Sequence, residues 1–396
     1  MKRLAQSAHH LEGQPMFRVL AKVQELERKG QDIIHFEIGD PDFASPGHAV
    51  EAAVRALRSG KTHYANSMGI VELREALREH AEREWGIRPS LDQILVVPAN
   101  AIVYLVIRCV VNPGEEVIVP DPCFPTYLSA IHFIGARPVR VPLDEARDFK
   151  LDPEAVRERI TDRTRLIILN SPHNPTGSVM SPGDVDTVAA LAEEKDVYLL
   201  SDEVYRKVVY GGSVPRSPSV RDGCRKRTVI LNSFSKSHAM SGWRLGYAIG
   251  PEEVIEKMNL LLQTIISCVP PFIQYGGIGA LDPDSEERVA GMVREFQKRR
   301  DAMVHGLNGL RGVSCRTPGG AFYVFPDIRG TGFGSAEFAE LMLEKAGVAL
   351  LPGPHFGDHA EGYVRLCYTI PVGQIEKGIQ RMHHALDEIP VSPALS

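Results

Sequence analysis

The chain reads as an α/β protein, with a large domain holding a mostly parallel seven-stranded sheet flanked by helices and a smaller α+β domain built from both chain termini. Three observations lead there. At 396 residues the chain exceeds the size at which one core keeps growing, so two domains are expected. Its middle alternates short runs rich in Val, Ile and Leu with helical periodicity, the pattern of strands buried on both faces by crossover helices. Its ends have a different texture, with long amphipathic or polar helical patterns and a short β-rich piece, GGAFYVF.

The elements follow in order. Residues 16–29 form an amphipathic helical pattern near the N-terminus. Strands are expected at 94–97, 116–119, 138–141, 166–169, 197–200, 228–231 and 245–249, with crossover helices at 152–160 and 182–195. A long polar helix is expected at 285–310. The boundaries are therefore 41–284 for the large domain and 1–40 with 285–396 for the small one.

An apolar share of 43% and a net charge of −5 fit an ordinary globular chain and give no sign of nucleic-acid binding. MKRLAQSAHHLEGQ has no apolar run behind its basic residues, so no secretory signal is expected. The windows AIVYLVIRCVV and LLLQTIISCVPPFIQ are too short for a membrane span and are broken by Arg108, Gln263 and prolines. Cys109, Cys123, Cys224, Cys268, Cys315 and Cys367 show no CxxC spacing. That pattern suits reduced thiols in a cytoplasmic enzyme better than a disulfide framework or a zinc site.

Polar residues cluster just past the apolar strands, in LIILNSPHN, YLLSDE and VILNSFSK. Open α/β sheets bind ligands beyond the carboxyl ends of their strands. Three unconnected loops thus bring an amide (Asn174), a carboxylate (Asp202) and an amine (Lys236) to one edge of one sheet. A lone loop lysine is usually solvated. Lys236, however, lies in SFSKSHAMSGWRLGY, whose serines, glycines and Arg244 are the directed donors and planar cation that a phosphate monoester needs. A desolvated lysine amine is a covalent nucleophile, and a carboxylate such as Asp202 can keep a pyridine nitrogen protonated. Taken singly, Asp202 also suits a helix N-cap, and Tyr205 suits plain packing.

SFSKSHAMSGWRLGY, NSPHNPTG, SDEVY and FEIGDPDF, in their order and spacing, resemble the class I/II aminotransferases, fold-type I pyridoxal-phosphate (PLP) enzymes related to aspartate aminotransferase. The resemblance runs from about Phe36 to Arg365. It implies a PLP-dependent aminotransferase moving an amino group from an amino acid to a 2-oxo acid, ping-pong, through a Schiff base on Lys236. By the same resemblance Asp202 is the pyridinium partner, and Asn174 and Tyr205 are the donors to the phenolic oxygen. Ser233 and Arg244 match phosphate ligands. Phe124 matches the aromatic on the pyridine face, although core packing also suits it. Tyr64 resembles a residue reaching the neighbouring subunit's cofactor, which implies a homodimer with shared sites. Arg365 matches the arginine that grips the substrate carboxylate, and Gly39 the glycine whose backbone lies over the substrate.

Two departures stand out. Pro98 occupies a place where the family pattern has glycine, leaving Ala99 and Asn100 to supply backbone amides to the phosphate. Asn66 follows Tyr64 near the expected substrate entrance. Other chemistries are weaker. Ser233 to Lys236 also satisfies S-x-x-K, but the S-D-N and K-T-G partners are missing. His383 with His384, and Asp40 with Asp42, lack acceptable metal-ligand spacing, so surface helix and turn fit them better and no metal is expected. A PLP-binding regulator would carry a DNA-binding extension. The nearer rival is PLP-dependent elimination, decarboxylation or cyclisation on the same residues, because these motifs do not settle which substrate bond breaks. Closure of the small domain is expected to exclude water. Substrate side-chain specificity is not legible.

Overall fold

The computed structural model describes residues 4–5, 8–9 and 13–388. Most of the stretch read as lacking a secretory signal therefore lies outside the described residues. Strands follow in chain order as β1 (Ile34–His35), β2 (Ile94–Val96), β3 (Glu116–Asp121), β4 (Arg137–Pro142), β5 (Thr164–Asn170) and β6 (Tyr198–Asp202). After them come β7 (Thr228–Ser233), β8 (Gly246–Ile249), β9 (Tyr323–Val324), β10 (Val348–Ala349), β11 (Leu351–Pro352) and β12 (Val364–Cys367).

Strands β2 to β8 form one seven-stranded sheet in the order β2-β8-β7-β6-β5-β3-β4. Strand β8 runs antiparallel to both its neighbours, and the other pairings are parallel. All seven expected strands are present, with shifted ends. The expected strands ending at 169, 200 and 231 continue to Asn170, Asp202 and Ser233. Asn170 is registered with Asp202, and Asp202 with Leu231, so polar residues extend the ladder beyond the apolar run. The expected helix at 152–160 is shorter, Pro153–Arg157. Beyond it Arg159 N donates to Val156 O at 3.0 Å and Ile160 N to Arg157 O at 3.3 Å, so the chain tightens into turns.

The pleat sorts side chains onto two faces. Val117, Val119, Leu166, Ile168 and Leu200 enter one buried cluster with the helix Ala99–Val110. Ile118, Ile167, Leu169 and Leu199 enter another with the helix Pro182–Glu194. Each such aliphatic side chain contributes about 1.5–3 kcal/mol when fully buried. The two windows read as too short for a membrane fall in sheet-covering helices, and no described helix is long and apolar enough to cross one.

A further core joins Ile34 and Phe36 to residues from the helix Pro283–Asn308 and from β9, β10, β12 and the helix Val372–Asp387. Strands β11, β12 and β9 form an antiparallel three-stranded sheet, and β1 pairs with β10 in parallel. Tyr205, Val208 and Tyr210 from the loop after β6 also enter this core. The two ends of the chain thus pack directly against the loop that follows Asp202.

Candidate active site

Strands β5, β6 and β7 end side by side, and their loops open into a cavity of about 520 Å³. Asn174, Asp202 and Lys236, the three residues of the strand-end argument, line it together with Tyr205, Ser233 and Arg244, which the resemblance singled out. Gly39, Ala99, Asn100 and Phe124 line it too. Ten of the twelve expected site residues therefore meet at one place.

Lys236 lies in the helix Phe234–Ser237, whose start is capped by Ser233. Its Nζ donates to the carbonyl of Gly39 at 2.7 Å. Burial lowers its pKa to about 8, against the pull of Asp40 and Cys367 and with help from Arg365 and Arg244. A Cβ on Gly39 would stand 2.4 Å from the Tyr323 hydroxyl, so only glycine lets the backbone approach this closely.

Asp202 is buried and accepts from the Tyr127 hydroxyl at 2.6 Å and the Val204 amide at 3.3 Å. Burial is the larger effect and raises its pKa to about 6, despite those donors. No ion pair reaches it among the described residues. Tyr205 shares a hydrogen bond of 2.7 Å with the Tyr323 hydroxyl, and burial holds its own hydroxyl protonated. Ser233 Oγ donates towards Leu245 O or Ser235 Oγ. Arg244 sits in the left-handed region at φ 52° and donates to Ser241 O at 2.7 Å. Pro98 is the N-cap of the helix Ala99–Val110, so Ala99 and Asn100 open that helix at the cavity wall. Phe124 likewise caps the helix Pro125–Ile134.

The remaining two expected residues lie elsewhere. Arg365 is wholly buried and meets the cavity through Asn174, whose Oδ1 accepts from its Nη1 at 3.3 Å. Its guanidinium lies between the rings of Tyr323 (4.7 Å) and Phe356 (4.8 Å), and its Nη2 donates to the Glu37 carbonyl. Its Nε is buried without a hydrogen-bond partner. Tyr64 is 89% exposed and lines a separate surface groove of about 440 Å³ together with Asn66. The Asn66 side chain accepts from the Met68 amide at 2.9 Å, shaping its own turn.

Sequence reasoning missed several lining residues. Tyr127 stands in the DPCFPTY segment, one helical turn after Phe124. Tyr323 follows the GGAF run but reaches Tyr205 across 118 positions, and nothing local signals that contact. Asp40, read as part of a turn, faces the cavity and accepts from Ser241 Oγ. Met16, Phe17 and Leu20 bring the helix Pro15–Arg28 to the same cavity. The residues weighed for metal are otherwise engaged, Asp42 with Arg299 at 2.7 Å and His383 with Asp387 at 2.8 Å. Lys236 Nζ donates to the Gly39 carbonyl and Ser233 Oγ to Leu245 O or Ser235 Oγ, so the two are not joined as an S-x-x-K pair among the described residues.

The family model for aminotransferase class I and II matches residues 31–382. The chain is 40% identical to a probable aspartate/prephenate aminotransferase of Aquifex aeolicus, over 98% of this chain and 100% of the relative. It is 39% identical to aromatic-amino-acid aminotransferase 2 of Thermococcus litoralis, over 93% and 95% of the two chains. The solved aspartate aminotransferase of Thermus thermophilus with maleate superposes with a TM-score of 0.93 at 36% identity, covering 97% of this chain and 100% of that one. The chain belongs to the class I and II aminotransferases, a family of enzymes that use pyridoxal phosphate to move amino groups between amino acids and 2-oxo acids.

Proposed function

We propose that this aminotransferase works through Lys236, whose amine holds pyridoxal phosphate covalently and then acts as the base at the substrate's alpha carbon. The observation that carries this reading is a pair of groups in one cavity. A lysine with its pKa lowered to about 8 shares the cavity with a buried carboxylate that has no cationic partner among the described residues. The donor set fits the cofactor. Asp202 lacks the positive charge that a protonated ring nitrogen would bring. Tyr205 and Asn174 are placed to donate to the phenolic oxygen, and Phe124 to cover a ring face. Ser233, Arg244 and the amides of Ala99 and Asn100 suit the phosphate. Pyridoxal phosphate, when bound, supplies the electron sink for the charge left on the substrate's alpha carbon.

The protein's own part follows from its groups. Arg365 and Gly39 orient the substrate, the guanidinium through its unused Nε and the glycine by close backbone approach. Neutral Nζ of Lys236 takes the alpha proton, and a pKa near the working pH suits that task. Exposed Tyr64 supports a homodimer in which each subunit completes its partner's phosphate site. Within the same reading, residues 41–284 form the cofactor domain, 1–40 with 285–396 form the small domain, and the enzyme works in the cytoplasm.

The test is the visible spectrum of the purified protein with PLP. A cofactor band that an amino acid donor removes and a 2-oxo acid restores supports the reading and names the donor. A band that a donor shifts but no 2-oxo acid restores favours elimination, decarboxylation or cyclisation. No band after incubation with PLP, or an unchanged band in Lys236→Ala, refutes the role of Lys236.

A further inference from the structure

We infer that the donor substrate carries an apolar side chain, aromatic or branched, which docks on the Phe17 face of the helix Pro15–Arg28, and that dicarboxylate donors are poor substrates. The inference rests on the reading above that this cavity holds cofactor and substrate.

The helix has two apolar surfaces. Val23 is wholly buried and, with Val19 and Leu26, anchors the helix to the protein. Phe17 and Leu20, spaced i and i+3, share another face and belong to no buried cluster among the described residues. Both line the cavity, as do Met16 and Val103. Phe17 is 59% exposed. One exposed aromatic is ordinary, but one joined by Met16 and Leu20 on the wall of a cavity marks a binding surface. The start of the helix is fixed to the neighbouring helix by Gln14 Nε2, which donates to Thr126 Oγ1 at 3.0 Å.

The charges of this subunit disfavour the alternative. Among the described residues, the cations lining the cavity are Lys236 and Arg244, both assigned above to the cofactor. The other charges on its wall are the carboxylates of Asp40 and Asp202. Arg365, which reaches the cavity beside Asn174, is assigned above to orienting the substrate by its alpha-carboxylate, and Arg18 is exposed and outside the lining. A second substrate carboxylate would lose water with no unassigned cation of this subunit's lining to receive it. An apolar side chain would gain from covering Phe17 and Leu20.

The experiment uses the PLP-loaded enzyme and follows the donor half-reaction with phenylalanine, leucine, alanine, aspartate and glutamate. Phenylalanine and leucine should react with specificity constants at least about tenfold above those of aspartate and glutamate. Phe17→Ala should lower the constant for phenylalanine about tenfold and that for alanine less than about threefold. Phe17→Arg should raise aspartate relative to phenylalanine. Independently of turnover, 3-phenylpropionate should bind at least about tenfold more tightly than succinate. Aspartate matching phenylalanine, succinate binding as well as 3-phenylpropionate, or equal losses for phenylalanine and alanine in Phe17→Ala would overturn the inference. If no amino acid changes the spectrum, the reading of the cavity fails instead, and the binding comparison alone decides this one.

Discussion

Two sides of the same strand ends hold similar chemistry under opposite rules. On the cavity side, Asp202 has two neutral donors and Lys236 one carbonyl. On the far side, the next residue, Glu203, accepts from Trp85 Nε1 at 2.7 Å, Ser201 Oγ at 2.9 Å and Arg206 Nη1 at 3.1 Å, and also from Ser217 Oγ. Lys207 there meets Glu286 at 2.6 Å and Glu84 at 3.2 Å. The far side pairs its buried charges within the protein, as stability demands. The cavity side leaves its carboxylate and amine without ion-pair partners among the described residues, and burial shifts the pKa of each towards its neutral form.

Substitutions on both sides can break or sharpen that contrast. Lys236→Ala should cost about a thousandfold or more in turnover while the protein stays folded, measured by steady-state rate and circular dichroism. A rate near wild type would remove the distinction. Glu203→Gln should do the reverse, lowering stability by about 3 kcal/mol because Arg206 loses its buried partner, while activity per folded molecule changes little. Denaturant unfolding beside a rate normalised to bound cofactor checks it.

Asp202→Asn should gain stability where Glu203→Gln loses it. The folded pKa of Asp202, about 6, lies above its ordinary value of 3.8. The folded state therefore holds that proton more tightly, and the stability it contributes is full below about 3.8 and lost as pH rises through about 6. Cofactor-free Asp202→Asn should exceed wild type by about 2 kcal/mol at pH 8, with the gap closing towards pH 4. A gap independent of pH would contradict the assigned cause. The smallest effect is expected from Tyr323→Phe, which removes the partner of the Tyr205 hydroxyl and should cost about tenfold or less in rate.

How far the site was legible depends on the distance over which each contact acts. Asn174, Asp202 and Lys236 follow strands whose apolar runs are visible, so their convergence needed only the sheet. Telling Asp202 from Glu203 required the pleat, which sends neighbours to opposite faces. The strand ends ran past the expected limits because Asn170, Asp202 and Ser233 are polar residues held by ladder bonds, which hydrophobicity does not register. The helix near residue 16 was visible as amphipathic, but its period says nothing about what covers Phe17. Arg365, Glu37 and Tyr323 come from opposite ends of the chain, and only the assembled core brings them together. The placement of Tyr64 on the outer surface was likewise beyond local patterning.

The contact between Lys236 and the carbonyl of Gly39 also bears on mutational robustness. A side-chain partner can be deleted by one base change, whereas every amino acid has a carbonyl. The resting position of the lysine is thus written into the main chain, and a point mutation can only displace it. Gly39→Ala would do so by driving a methyl group into the Tyr323 hydroxyl. Tolerance at this turn is therefore set by the space above Gly39 rather than by the identity of a partner side chain.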